Sequence, residues 1–311
     1  MKQTLKILSV NISKKKGTVK LPVSSISLTD VGVVGDAHSG PWNRQVSLLG
    51  VESFNSFSAE AGRKIAYGEF AENITTQGIE IYKTLPLDRF VNDNIELEVT
   101  QIGKKCHGSN CQIFREVGNC VMPKEGIFAR VIKHGHIKAG DELEYKPRVI
   151  RSTVITLSDR ASQGVYEDIS GRQLEKRLNE FWNSVGRQSE VDYLLIPDKE
   201  ELLKKAIEKA IENKSDFIYT TGGTGIGPKD ITPEVVEPML EKQIPGIMDL
   251  IRTKYGSEKP AALLSRSIAG IIDQTIIYCL PGNSRAVNEY LDEILKTVTH
   301  SLYMIYQLDI H

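Results

Sequence analysis

The chain is poor in cysteine, has no excess of charge of either sign, and contains no long apolar run. Four cysteines in 311 residues do not make a disulfide framework, which belongs to short secreted chains. Lys and Arg number 39 against 40 Asp and Glu, a formal net charge of −1, so no global basic field points to nucleic acid. Attraction for an anionic substrate has to come from a local cluster. No stretch approaches the ~20 apolar residues that cross a bilayer, and Met1-Lys2-Gln3 leads straight into a strand-like run instead of a secretion signal. A cytoplasmic protein with reduced thiols is the expectation. Internal repeats and low-complexity tracts are lacking too. What is present is globular: 40% hydrophobic and 25% charged residues, in a chain long enough for two ordinary domains.

The texture changes near Tyr145-Lys146-Pro147-Arg148. Before that point, short strand-like runs (5–12, 46–49, 95–102 and 142–145) are separated by dense Gly, Asn and Asp punctuation. This reads as a mostly-β, barrel-like domain with helices only near 51–60 and 127–133. After it the apolar period lengthens. Strands are expected at 149–157, 191–196, 217–219 and 275–280. Helices are expected at 171–182 and 200–212, with a closing helix from about 285 past 302. Strand and helix alternate, so the second half should be an α/β domain, a mostly parallel sheet in a three-layer αβα arrangement. The division expected is 1–146 and 147–311.

The most informative stretch is Thr220-Thr221-Gly222-Gly223-Thr224-Gly225-Ile226-Gly227-Pro228-Lys229-Asp230-Ile231-Thr232-Pro233-Glu234. An apolar strand runs into glycines, and Thr232-Pro233 reads as the N-cap and first-turn proline of a helix. Glycine lets a backbone approach a ligand closely and free N–H groups bind anions. The loop lacks the Gly-Lys-Ser/Thr of a P-loop, and Pro228 replaces the last glycine of a dinucleotide fingerprint. A bare glycine cluster reads equally as a structural turn; Lys229 and Asp230 favour phosphate. The other strand ends are also polar: Ser158-Asp159-Arg160, Pro197-Asp198 and Pro281-Gly282-Asn283-Ser284. In an open α/β sheet such ends converge on one crevice. Asp198 and Asp230 suit a Mg²⁺ site, since that cation takes one or two carboxylates plus phosphate oxygens, although Asp198 equally suits an N-cap. Lys229, Arg160 and Arg266 are candidates for phosphate groups or plain surface charges. Ser265 and Ser267 could cap a turn or meet a ligand, and Asn283 suits a helix cap.

The residues 220–234, with Leu157-Ser158-Asp159-Arg160, Ser170-Gly171, Leu264-Ser265-Arg266-Ser267-Ile268-Ala269-Gly270 and Leu280-Pro281-Gly282-Asn283, resemble the Mog/MoaB family of molybdopterin adenylyltransferases, from about Val149 onward. The resemblance implies attack of a molybdopterin phosphate on the α-phosphorus of ATP, with pyrophosphate leaving and Asp198 and Asp230 holding Mg²⁺ as the catalytic pair. It implies substrate contacts at Ser158, Asp159, Arg160, Thr221, Gly222, Gly223, Thr224, Gly225, Lys229, Ser265, Arg266, Pro281, Gly282 and Asn283. A homotrimer is implied as well. The chain departs from the family at Ser284, where proline usually follows Asn; a local change at the helix start is expected.

Within residues 1–146, three clusters resemble the MOSC domain, named for molybdenum cofactor sulfurases. They are Gly35-Asp36-Ala37-His38-Ser39-Gly40 with Arg44-Gln45-Val46-Ser47-Leu48-Leu49, then Gly68-Glu69-Phe70-Ala71-Glu72-Asn73-Ile74-Thr75, and Gly103-Lys104-Lys105-Cys106-His107-Gly108. That resemblance implies molybdenum cofactor binding or sulfur carriage through Cys106, whose cationic neighbours Lys105 and His107 would favour the thiolate; a small buried residue is the plain alternative. His38, Arg44, Glu72 and Asn73 are pocket candidates for an anionic pterin, with Asn73 and Asp36 equally suited to turns. Cys106, Cys111, Cys120 and His107 lack a Cys-x-x-Cys knuckle for structural zinc. Pyridoxal phosphate is not expected. Both halves thus point to molybdenum cofactor biosynthesis, with a non-catalytic cofactor carrier and a sulfurtransferase acting through Cys106 as alternatives. The expected partners are pterin, nucleotide and, transiently, other cofactor-synthesis proteins or molybdoenzymes, with neither nucleic acid nor membrane.

Overall fold

A computed structural model describes residues 2–104 and 120–308. Contacts divide the chain into two compact units, one reaching Arg148 and the other Val149–Tyr306. Gln307 and Leu308 group with the first unit; Asn43 Nδ2 donates to the Gln307 carbonyl at 2.8 Å and Leu308 is buried.

The first unit is a closed ring of strands. In order, Gln3–Ile12, Glu142–Lys146, Arg89–Val91, Glu96–Ile102, Ile127–Lys133, Val46–Gly50 and Ile74–Gln77 pair side by side, and the last returns to the first. Only Val46–Gly50 and Ile74–Gln77 run parallel. Closure removes the unpaired edges that an open sheet would expose. Leu5, Ile7, Leu48, Ile74, Phe90, Leu97, Val99 and Leu143 fill the interior.

The second unit is a six-stranded sheet in the order Gln188–Ile196, Val149–Leu157, Phe217–Thr221, Thr275–Leu280, Ala269–Ile272, Lys242–Gln243. The first four strands are parallel, and the last two pairings, of Ala269–Ile272 with each of its neighbours, are antiparallel. Alternation along the strands separates two apolar faces. Ile218, Ile277 and Cys279 pack with Leu203, Ile207 and Ala210 of the helix Glu200–Glu212. On the other face Phe217 meets Trp182 of the helix Ile169–Ser184 at 5.8 Å between ring centroids, and Tyr219 stacks on Tyr278 at 5.4 Å. The result is the three-layer αβα arrangement. Among the described residues no helix is long and apolar enough to cross a membrane.

Several sequence expectations are corrected. Residues 127–133 are not a helix but a central barrel strand bonded on both sides. Ile127, Val131 and Ile132 are β-branched, which favours the pleated backbone, and seven residues are too few to separate the two periods. The closing helix is two, Ser284–Ile294 and Val298–Ile305, with no Gly or Pro to signal the break. The helix Pro245–Gly256 and the two antiparallel strands were not anticipated. Thr232 is not an N-cap: the cap of the short helix Thr232–Val236 is Ile231, without a side-chain bond, and Thr232 Oγ1 donates instead to the Gly222 carbonyl at 2.8 Å.

Trp182 is fully buried between helix and sheet. Trp182→Ala is expected to lower the unfolding free energy of the second unit by about 3–5 kcal/mol, read from the urea midpoint of its transition.

Candidate active site

The carboxyl ends of the parallel strands meet at the glycine loop. Gly222 has φ +106°, and a Cβ there would sit 2.4 Å from the Leu157 carbonyl oxygen. No side chain fits, so glycine lets the third strand end turn hard against the first. A Cβ on Gly282 would meet the Gly222 Cα at 3.2 Å, which brings in the fourth strand end. The loop's carbonyls are tied back. Arg266 Nε donates to the Gly225 carbonyl at 2.6 Å, Arg266 Nη2 to the Asp230 carbonyl at 2.8 Å, and the Arg266 amide to the Thr224 carbonyl at 2.8 Å. Arg266 also pairs with Glu234. Among the described residues, the amides of Gly223, Thr224, Gly225 and Ile226 donate to no protein acceptor. Consecutive unpaired N–H groups of this kind form an anion-binding nest.

Carboxylates and one lysine stand beside the nest. Asp159 and Asp198 hold each other: the Asp159 amide donates to Asp198 Oδ2 at 2.8 Å, and the Asp198 amide to Asp159 Oδ1 at 3.1 Å. Asp198 is therefore not a helix cap; Lys199 occupies that position. Lys229 Nζ reaches Asp159 Oδ2 at 2.7 Å. The Lys229 bond holds the Asp159 carboxyl below its usual range, and Asp159 in turn raises the Lys229 ammonium. Asp230 Oδ2 accepts the Gly227 amide at 2.8 Å, closing the loop on itself.

A cavity of about 790 Å³ opens over these groups. Ser158, Asp198, Gly222, Gly223, Thr224, Gly225, Lys229, Asp230, Ser265, Pro281, Gly282 and Asn283 line it. The other candidates lie elsewhere. Asp159 acts from behind the wall through Asp198 and Lys229, and Arg160 lies over the Tyr166 ring at 5.1 Å. Thr221 is buried, bonded to the Pro281 carbonyl at 2.9 Å, and Arg266 braces the loop from outside. Asn283 accepts from the Arg285 and Ala286 amides and so caps the helix Ser284–Ile294, with Ser284 at its first position. Ser265 shares its hydroxyl with Ser267 at 2.8 Å and receives the Tyr290 hydroxyl at 3.0 Å. The opposite wall carries Arg252, Tyr255, Lys259, Arg285, Glu289 and Tyr290, none of them foreseen. Pro245 ahead of the spaced apolar Met248 and Ile251 would have revealed the helix bearing Arg252 and Tyr255. A smaller cleft of about 240 Å³ shares Leu157, Ser158 and Gly282 and holds Asp168, Ser170 and Tyr166.

In the first unit, His38, Arg44 and Asn73 line a cleft of about 280 Å³ with Lys16, Trp42 and Lys104. Lys16 sits 5.0 Å from the Trp42 ring centre, and among the described residues Lys16, Arg44 and Lys104 have no carboxylate partner. The Asn73 side chain is engaged inward, its oxygen taking the Ser47 hydroxyl at 3.0 Å. Glu72 does not line the cleft. It is fully buried, accepting from the Gly68 amide at 2.5 Å and the Thr75 hydroxyl at 2.9 Å, and burial pushes its carboxyl up to about 7. Asp36 forms a buried pair with Lys20 at 2.7 Å. Burial opposes its charge, yet the His38 and Lys20 bonds prevail and hold its carboxyl well below the usual range. Cys106, Cys111 and His107 lie outside the described residues; Cys279 is a buried free thiol, and burial raises it to about 12.

Residues 153–300 match the family described as "Probable molybdopterin binding domain", and residues 35–144 match the MOSC domain. The second half is 35% identical to a molybdopterin adenylyltransferase of Helicobacter pylori over 159 residues, covering 51% of this chain and 89% of that protein. The chain belongs to the molybdopterin adenylyltransferase family. Gephyrin of Dictyostelium discoideum shares 37% identity over 158 residues, covering 49% of this chain but 22% of gephyrin. The solved structure of the molybdopterin biosynthesis enzyme MoaB from Thermus thermophilus is 32% identical with a TM-score of 0.45, covering 51% of this chain and 97% of that one. The strand-end cavity lies inside the adenylyltransferase-family half, and the cationic cleft belongs to the MOSC half.

Glu72 gives this chain a stability that depends on pH. The fold accommodates its neutral form, so the folded protein holds the proton more tightly than the unfolded chain. That stabilisation is full below about 4.5, is lost as pH rises to about 7, and changes no further above. Urea unfolding across this window is expected to show wild type falling relative to Glu72→Gln, with the difference constant beyond it.

Proposed function

We propose that the second unit transfers the adenylyl group of ATP to the terminal phosphate of molybdopterin and releases pyrophosphate. The observation that carries this reading is the row of unpaired amides at Gly223–Ile226 beside Asp198, Lys229 and Asp230 in one cavity. Its volume of about 790 Å³ falls within the range of pockets that enclose drug-sized ligands, and the adenylyltransferase activity named for the Helicobacter relative supports the same assignment.

A phosphate oxygen of the pterin attacks the α-phosphorus, the bond from that phosphorus to the bridging oxygen breaks, and pyrophosphate leaves with the electron pair. The nucleophile is already anionic, so the protein need supply no general base. Positioning and charge compensation do most of the work. The nest amides hold phosphate oxygens and Lys229 offers a mobile positive charge. Among the described residues no group of three or more His, Cys, Asp or Glu forms a ready-made metal cage. Asp198 and Asp230 on one wall fit a hard cation that keeps several waters and arrives with its phosphates. Mg²⁺ held there supplies charge neutralisation for the leaving pyrophosphate.

The first unit's cleft, with Lys16, Arg44, Lys104 and His38, suits an anionic pterin, and molybdenum cofactor binding is its role in this reading. Sulfur carriage by Cys106 rests on the MOSC resemblance and on its cationic sequence neighbours Lys105 and His107. Homotrimeric assembly, a cytoplasmic setting and transient contact with other cofactor-synthesis proteins belong to the same reading.

Asp230→Asn keeps an oxygen for the Gly227 amide and removes the charge. It is expected to lower molybdopterin-dependent pyrophosphate release from Mg-ATP by about 10²–10³-fold, the scale of losing one preorganised electrostatic contact. Unchanged release, or release that does not need molybdopterin, contradicts the reading.

A further inference from the structure

Asp159 does not line the cavity, yet it is bonded to two residues that do, Asp198 and Lys229. Its two oxygens have separate duties. Oδ1 accepts the Asp198 amide at 3.1 Å while Asp198 Oδ2 accepts the Asp159 amide at 2.8 Å. That reciprocal pair fastens the end of the strand Val149–Leu157 to the end of its neighbour Gln188–Ile196. Oδ2 takes Lys229 Nζ at 2.7 Å, so the glycine loop's only lysine is drawn toward the first strand end. The Lys229 side chain is 78% exposed and Lys229 lines the cavity next to Asp230.

An ion pair this exposed is weak, because water screens it and two side chains must be held in one geometry. A polyphosphate brings several charges and strong acceptor oxygens to the same ammonium. The balance therefore reverses when such a ligand enters. We propose that Asp159 is a positioning residue of the phosphate site: it parks Lys229 beside the nest and yields it to the polyphosphate on binding, while its other oxygen keeps Asp198 in place. This rests on the nucleotide reading above and adds a residue-level exchange to it.

The separated duties allow a clean test by calorimetric titration with α,β-methylene-ATP, which binds without releasing pyrophosphate. Asp159→Asn retains an oxygen for the Asp198 amide and frees Lys229. It is expected to bind the metal-free analogue about 2- to 5-fold tighter than wild type, the worth of an exposed pair. Removing a negative charge near a phosphate site also tightens binding by lowered repulsion alone. Lys229→Met separates the two causes: Asp159→Asn added to Lys229→Met should bring no further tightening. Equal tightening in both backgrounds, or none in either, overturns the exchange. Binding by wild type with Mg²⁺ present shows that the nucleotide reading survives such a failure. No binding by wild type in any condition overturns that reading and this inference together. Asp159→Ala, which loses both oxygens, is expected to weaken binding with Mg²⁺ because Asp198 is released; affinity equal to that of Asp159→Asn contradicts the assigned role of Oδ1.

Discussion

The site depends on a loop whose carbonyls are satisfied by the protein while its amides are left for something else. Arg266 spends its guanidinium and its own amide on the Thr224, Gly225 and Asp230 carbonyls, and Thr232 takes the Gly222 carbonyl. Thr224 is buried and Gly223 and Gly225 are half-buried, where N–H groups without partners are costly, so a loop held in this state suits an acceptor-rich ligand. The geometry is possible because Gly222 and Gly282 permit strand ends to come closer than any side chain would allow.

Around that nest charges of both signs are mixed. Asp198, Asp230 and Glu289 line the cavity together with Lys229, Arg252, Lys259 and Arg285, so an anionic ligand meets carboxylates and cationic groups side by side. Asp198 and Asp230 are hard oxygen donors of the kind that a divalent cation arriving with phosphates accepts. The first unit's cleft is lined by Lys16, Arg44 and Lys104, which have no carboxylate partner among the described residues. Both clefts present donors to an anionic ligand, one through amides and Lys229, the other through cationic side chains.

Much of this was legible in the residues, for physical reasons that also mark where legibility ends. The strands Val149–Leu157 and Thr275–Leu280 and the helix Glu200–Glu212 announce themselves by apolar period, and the polar strand ends locate the crevice. The Ile127–Lys133 strand did not, because a seven-residue apolar run carries no decisive period and the barrel context sets its conformation. Arg266 looked like a phosphate ligand since sequence shows its charge but not its direction; the structure turns it onto loop carbonyls. Glu72 looked like a lining residue and is buried beneath the cleft. Arg252, Lys259, Arg285 and Glu289 were missed because they converge from separate segments that only tertiary packing brings to one wall.

The most direct measurement is amide NMR of the ¹⁵N-labelled, deuterated protein during titration with Mg²⁺ and α,β-methylene-ATP. The account predicts that the amides of Gly223, Thr224, Gly225 and Ile226 shift more than any others in the second unit, as each gains a phosphate acceptor. Saturable binding that leaves those four resonances in place, with the largest shifts elsewhere, would contradict it.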